Sequence, residues 1–179
     1  MEIVANYLVG VEMMPNMQHG PDVIHLDADV HATADNIYGY PDGAWIAYLT
    51  IAYTIEKQDS GWQASGTLKP MTAKDGPHYA DNVKMDGPGS YKVTYRFNPP
   101  EGNGFYRHTD QETGVPPWWQ PFSQKLHFHV CAEIAASTGI GFPAATDASL
   151  RSETGTRVHL QRGAAGRGLQ RRLSISAGL

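Results

Sequence analysis

Val23-Ile24-His25-Leu26-Asp27-Ala28-Asp29-Val30-His31 alternates apolar and polar side chains without a break. Ile24, Leu26, Ala28 and Val30 fall on one set of alternate positions, and His25, Asp27, Asp29 and His31 on the other. A period of two is the strand period, so this stretch predicts a β-strand with one apolar face and one face of imidazoles and carboxylates. The apolar face calls for a second layer to bury it. The polar face places four ligand-type side chains side by side.

Further strands are expected at residues 3–13, 45–57, 62–71, 90–98 and 124–131, all rich in Val, Ile, Thr, Tyr or Trp. The run Trp45-Ile-Ala-Tyr-Leu-Thr-Ile-Ala-Tyr-Thr-Ile55 is apolar on both alternations and reads as a central strand. Turn signals separate the strands: Tyr40-Pro-Asp-Gly43, Asp59-Ser-Gly61, Asp86-Gly-Pro-Gly89 and Asn98-Pro-Pro-Glu-Gly-Asn-Gly104. No segment carries a helical period with caps. Short strands at this spacing predict an all-β antiparallel sandwich.

The chain has 179 residues and a formal charge of −4, which argues against a nucleic-acid partner. Charge is unevenly spread. Residues 1–131 hold 8 Lys+Arg against 15 Asp+Glu, a net of −7; residues 132–179 hold six Arg and three acids, a net of +3. The second stretch is rich in Ala, Gly, Ser, Thr and Arg and has no Trp or Tyr. Its small apolar surface predicts a disordered or non-native tail on a domain of residues 1–131. One cysteine, Cys131, excludes an intrachain disulfide and a cysteine-based zinc cluster. The first residues lack the basic start, apolar middle and small-residue cleavage site of a signal peptide. No G-x-S-x-G elbow, P-loop or dinucleotide fingerprint is present.

Metal ligands are the chemistry the pattern offers. His25 and Asp27 lie two apart on one strand face. Asp29 and His31 share that face, and Asp29 has the chemistry to orient an imidazole. Met71 comes at a predicted strand end before a polar loop, and Gly76-Pro77 is expected to make a turn that fixes His78. His108 lies in a Gly-flanked polar stretch, with Asp110 and Glu112 near enough in sequence to accept from its far ring nitrogen. Three imidazoles, a thioether and a carboxylate form a copper-type donor set. Met13, Met14, Met17 and His19 form a second soft cluster, of which Met13, Met17 and His19 are the candidate ligands of a weaker metal site. His127 and His129 are expected at the surface.

Four segments carry a resemblance. His-Leu-Asp-Ala-Asp-Val-His-Ala, Trp45 to Ile55, Asp-Gly-Pro-His-Tyr-Ala-Asp-Asn-Val-Lys-Met-Asp-Gly and Arg-His-Thr-Asp-Gln-Glu-Thr-Gly-Val resemble the periplasmic iron-transport accessory proteins of the Tpd, FetP and ChpA type. The resemblance runs over roughly residues 3–130 and stops at the tail. It implies an immunoglobulin-like sandwich, a homodimer, bound copper, a membrane iron permease as partner and a role in high-affinity iron uptake. It implies His25, Asp27, Met71, His78 and His108 as metal ligands. The family's pair is usually His-x-Glu, so Asp27 is one methylene short. The reading is a periplasmic copper-binding protein that is not itself an enzyme, with iron at a second site. Its rival is a copper-dependent oxidoreductase acting on ferrous iron.

Overall fold

The computed structural model describes residues 1–15 and 17–130 and, as backbone alone, residues 158–159 and 171–176. The strands are β1 (Glu2–Val9), β2 (Val23–His31), β3 (Thr50–Lys57), β4 (Gln63–Thr67), β5 (Lys69–Ala73), β6 (Gly76–Lys84), β7 (Gly89–Asn98), β8 (Phe122–Val130), β9 (Val158–His159) and β10 (Arg171–Ser176). They form two antiparallel sheets, ordered β5-β6-β2-β1-β10-β9 and β4-β3-β7-β8. The architecture is the expected all-β sandwich.

Alternation builds the core. Ile24, Leu26, Ala28 and Val30 are 0–2 % exposed on β2. They share the interior with Ile51, Tyr53 and Ile55 of β3, Tyr91, Val93, Tyr95 and Phe97 of β7, and Leu126 and Val130 of β8. Each fully buried Val, Leu, Ile or Phe side chain among them contributes about 1.5–3 kcal/mol on burial.

Strand boundaries depart from the sequence reading where backbone geometry intervenes. The first strand stops at Val9, because Gly10 turns into the left-handed region at φ +71°. The run expected from Trp45 does not extend until Thr50, because Tyr48 sits at φ +63° and breaks it. Its first residues form a loop against β2, with an isolated bridge from His31 to Trp45. From Thr50 on, β3 is an interior strand of its sheet, yet it alternates buried and half-buried residues instead of burying both faces. The stretch 62–71 is two strands: buried Leu68 parts β4 from β5 and moves the chain from one sheet to the other.

Tyr79 ties the 45–49 loop to β6. Its hydroxyl donates to the Ile46 carbonyl at 2.8 Å and accepts from the Leu49 N–H at 3.0 Å, and its loss of solvent raises the phenol pKa to about 12. Of the segment 132–179, the described backbone forms β9 and β10, and β10 lies antiparallel along β1 with Ala5 opposite Leu173. The disordered-tail expectation otherwise falls outside the described residues, as does Cys131.

Candidate metal centre

The polar face of β2 lies between β1 and β6. Register sets who meets whom. His25 is opposite Asn82, and Asp27 is opposite Ala80. Met71 on the edge strand β5 is opposite His78. Cross-strand partners of this kind share a face and lie within contact range. In the β2–β6 register, His25 and His78 therefore flank the Asp27–Ala80 pair, one on each side. The two rings meet edge to face, with centroids 5.9 Å apart.

Although it faces away from the sandwich core, this patch is dry. His25 is 3 % exposed, and Asp27 and His78 are each 7 % exposed. Part of the cover is the connection between β1 and β2, drawn over the face where the Asn82 Nδ2 donates to the Gln18 carbonyl at 2.6 Å. Asn82 Oδ1 lies 2.7 Å from His25 Nδ1, and the Gly76 carbonyl lies 3.3 Å from His78 Nδ1. Burial holds the His25 pKa below its ordinary value, partly offset by the Asn82 contact, while His78 adds to the lowering and Asp81 opposes it. A buried neutral imidazole keeps a lone pair for a metal. The two rings share this face with the Asp27 carboxylate and the Met71 thioether, donor types that suit copper, although among the described residues the rings and the carboxylate do not converge closely enough to hold an ion by themselves.

Two sequence expectations need correction here. Met71 is not at a strand end: β5 continues to Ala73. Residues 72–77 are not an extended polar loop with a turn at Gly76-Pro77. The turn is Lys74-Asp75, and Pro77 lies in β6 opposite Thr72. Proline is tolerated there because it lies near the start of β6, beyond the last β2 partner, Ala28 opposite Tyr79. A tight hairpin thus places Met71 beside His78.

His108 stands apart. Its side chain is 75 % exposed, in the stretch that follows the 3-10 turn Pro100–Asn103. Among the described residues, no three His, Cys, Asp or Glu side chains converge closely enough to hold a metal by themselves, so a single chain does not assemble the three imidazoles. The His108 loop is nonetheless built. Asp110 Oδ1 accepts from the main-chain N–H groups of Glu112 and Thr113 at 3.1 and 2.8 Å. Thr113 Oγ1 donates to Asp110 Oδ2 at 2.9 Å and lies 2.7 Å from His108 Nδ1. Asp110 thus meets the ring both through Thr113 and directly, its Oδ2 3.6 Å from His108 Nδ1, and Glu112 takes part by its backbone.

A family model described as Fe2+ transport protein matches residues 1–131. The chain belongs to that family. The UPF0423 protein of Brucella abortus (strain 2308) is 44 % identical over 145 residues, 78 % of this chain and 77 % of that one. The 34 kDa membrane antigen of Treponema pallidum (strain Nichols) is 35 % identical over 123 residues, 64 % and 60 % of the two chains. Among solved structures, FetP of uropathogenic Escherichia coli strain F11, recombinantly expressed in the periplasm of E. coli BL21(DE3), superposes with a TM-score of 0.66 at 46 % identity, covering 72 % of this chain and 86 % of its own. The copper-reconstituted P19 protein of Campylobacter jejuni gives a TM-score of 0.67 at 43 % identity, covering 71 % and 86 %. The resemblance read from the four sequence segments is borne out.

In this Fe2+ transport protein family member the remaining candidates lie outside the His25–His78 patch. Met13 and Met17 are half-buried and His19 is exposed in the β1–β2 connection. The His19 ring meets the Met17 carbonyl at 3.3 Å. His31 is half-buried beside Trp45. His127 is half-buried, its ring 3.0 Å from Gln58 Nε2, and His129 is exposed.

Two asparagines escaped the sequence reading. Asn82 contacts His25 directly. Asn6, 8 % exposed, is opposite Asp27 on β1, and its Oδ1 has no hydrogen-bond partner among the described residues. The available signal for Asn6 was a lone amide in an otherwise apolar strand.

Proposed function

We propose that this chain is a periplasmic copper-binding protein that supports high-affinity iron uptake alongside a membrane iron permease, and that it works as a homodimer. The observation that carries the reading is the buried His25–His78 ring pair, with Asp27 on the neighbouring register position of the same strand face and Met71 opposite His78. Copper bound there supplies a one-electron couple. The protein's own part is to present donors. His25 and His78 offer imidazoles, Met71 a soft thioether that disfavours hard ions, and Asp27 a carboxylate that favours the divalent state. His108, exposed and remote within its own chain, is the ligand a second copy would bring. Copper-bound relatives and the iron-transport family support the reading.

Elemental analysis of untagged protein, followed by competition between copper and manganese, tests it. Copper retained at one equivalent per chain against a large manganese excess is the expected result. Equal occupancy by manganese would remove the thioether from the site and the reading with it. The oxidoreductase alternative is separated by whether the copper-loaded protein turns over ferrous iron repeatedly above the copper-free control. One oxidising equivalent per copper, without turnover, is the outcome expected for the transport role.

A further inference from the structure

Each of the three candidate histidines meets its neighbour through Nδ1, and in each case the neighbour dictates which ring nitrogen carries the proton. The Gly76 carbonyl, 3.3 Å from His78 Nδ1, can only accept. The Thr113 hydroxyl spends its proton on Asp110 Oδ2, so toward His108 Nδ1, 2.7 Å away, it presents a lone pair. At His25 the neighbour is an amide, which could face the ring with either its oxygen or its NH2 group. The Gln18 carbonyl settles the matter. It accepts from Asn82 Nδ2 at 2.6 Å, which turns Asn82 Oδ1 toward His25 Nδ1 at 2.7 Å. An amide oxygen accepts and cannot donate.

We infer that Asn82 is a positioning residue that commits His25 to the Nδ1–H tautomer and so aims the Nε2 lone pair at the ion, with the Gln18 main chain of the β1–β2 connection locking the amide in that sense. The inference rests on His25 being a metal ligand, as proposed above. It adds a dependence that the ligand set alone lacks. The connection holding Met13, Met17 and His19 touches the metal centre through one amide, and whatever shifts Gln18 frees Asn82 to turn over. Second-neighbour contacts to ligating histidines carry about 10–100-fold in metal affinity when removed.

The test reads the tautomer directly and needs no metal. Long-range 1H–15N correlation on 15N-labelled apo protein, held well above the ordinary imidazole pKa of about 6.5, distinguishes Nδ1–H from Nε2–H for each ring. His25 is expected as the Nδ1–H form in the unaltered protein. In Asn82→Ala the His25 cross-peaks should move to a tautomer mixture while His108 stays as it was. Asn82→Asp keeps an acceptor against His25 and should restore Nδ1–H. Copper titration should follow in parallel, with affinity falling at least about tenfold in Asn82→Ala and recovering in part in Asn82→Asp.

An Nε2–H ring at His25 in the unaltered protein, for which no variant is needed, would overturn the inference. So would a His25 tautomer indifferent to Asn82→Ala. If the tautomers behave as stated but the unaltered protein fails to bind copper, the copper reading falls, and with it the aim toward an ion, leaving only the control of the His25 tautomer by Asn82.

Discussion

At the residue scale the site rests on keeping His25 uncharged. Burial lowers its folded-state pKa below the unfolded value, so the unfolded chain takes up a proton first as pH falls. Stability is then greatest above the unfolded pKa of about 6.5 and declines as pH drops from there through the folded value. Denaturant titrations of metal-free protein should therefore show a midpoint that drops as pH is lowered from about 6.5, and His25→Gln should flatten the slope. An unchanged slope would show that His25 titrates as freely in the folded chain as in the unfolded one. Asp27 makes a separate demand. It is buried between strands and one methylene shorter than the family's usual Glu. Asp27→Glu, which extends the carboxylate by about 1.5 Å, should tighten copper(II) binding by about tenfold, or roughly 1.4 kcal/mol, in a calorimetric titration. Weaker binding would mean that the strands already bring the shorter side chain to the ion. Residue identities here were legible in the sequence because ligand chemistry is carried by side-chain type. Asn82 and Asn6 were not, since an amide matters only through the partner that the fold supplies.

Among the elements, β2, β7 and β8 were readable from alternation because each turns one apolar face to the core. β6 was not. Gly76, Pro77, Asp81 and Asn82 make it look like a loop, although His78, Tyr79 and Ala80 are all buried. A strand that serves the core with one face and a polar centre with the other loses the pattern by which strands are recognised. The split at Leu68 was hidden for a related reason: a change of sheet leaves a continuous extended sequence. β4 also carries a tight contact that steers the edge of the site sheet. A Cβ on Gly66 would lie 2.6 Å from the Tyr53 hydroxyl, the group that donates to Asp81 at 2.9 Å. Asp81 in turn pairs with Lys69 on β5 at 2.6 Å. Gly66→Ala should force Tyr53 aside, cost about 1–3 kcal/mol in denaturant unfolding and loosen β5, whereas Gly61→Ala, with open space around it, should be nearly neutral. Equal stability of the two variants would show that Tyr53 yields without loss.

Over the whole molecule, the separation of His108 from the His25–His78 pair becomes a question about stoichiometry. If His108 reaches the site of a second copy, two crippled chains can repair one another. A dimer pairing His78→Ala with His108→Ala holds one face that is intact and one donor loop that is intact, and these belong to the same site. Mixing the two variants after dissociation should restore about one copper per four chains, because random reassortment makes about half of the dimers mixed and each mixed dimer holds one intact site, where each variant alone binds weakly. No recovery on mixing would place His108 in its own chain's site or outside any site. The sandwich architecture was legible at this scale from strand spacing; the separation of His108 from the His25–His78 pair was not, because sequence spacing does not say which loop the fold leaves exposed.

The Tyr79 hydroxyl, one residue from His78, closes the Leu49 amide into a bond with no strand around it. Amides in connecting segments ordinarily trade their hydrogens with solvent quickly, because local openings there cost little. That of Leu49 should instead exchange on the timescale of the β3 amides, and Tyr79→Phe should return it to loop-like rates without changing the exchange of β7. The protection of one amide in a loop would then serve as a remote gauge of how firmly the strand carrying His78 is held.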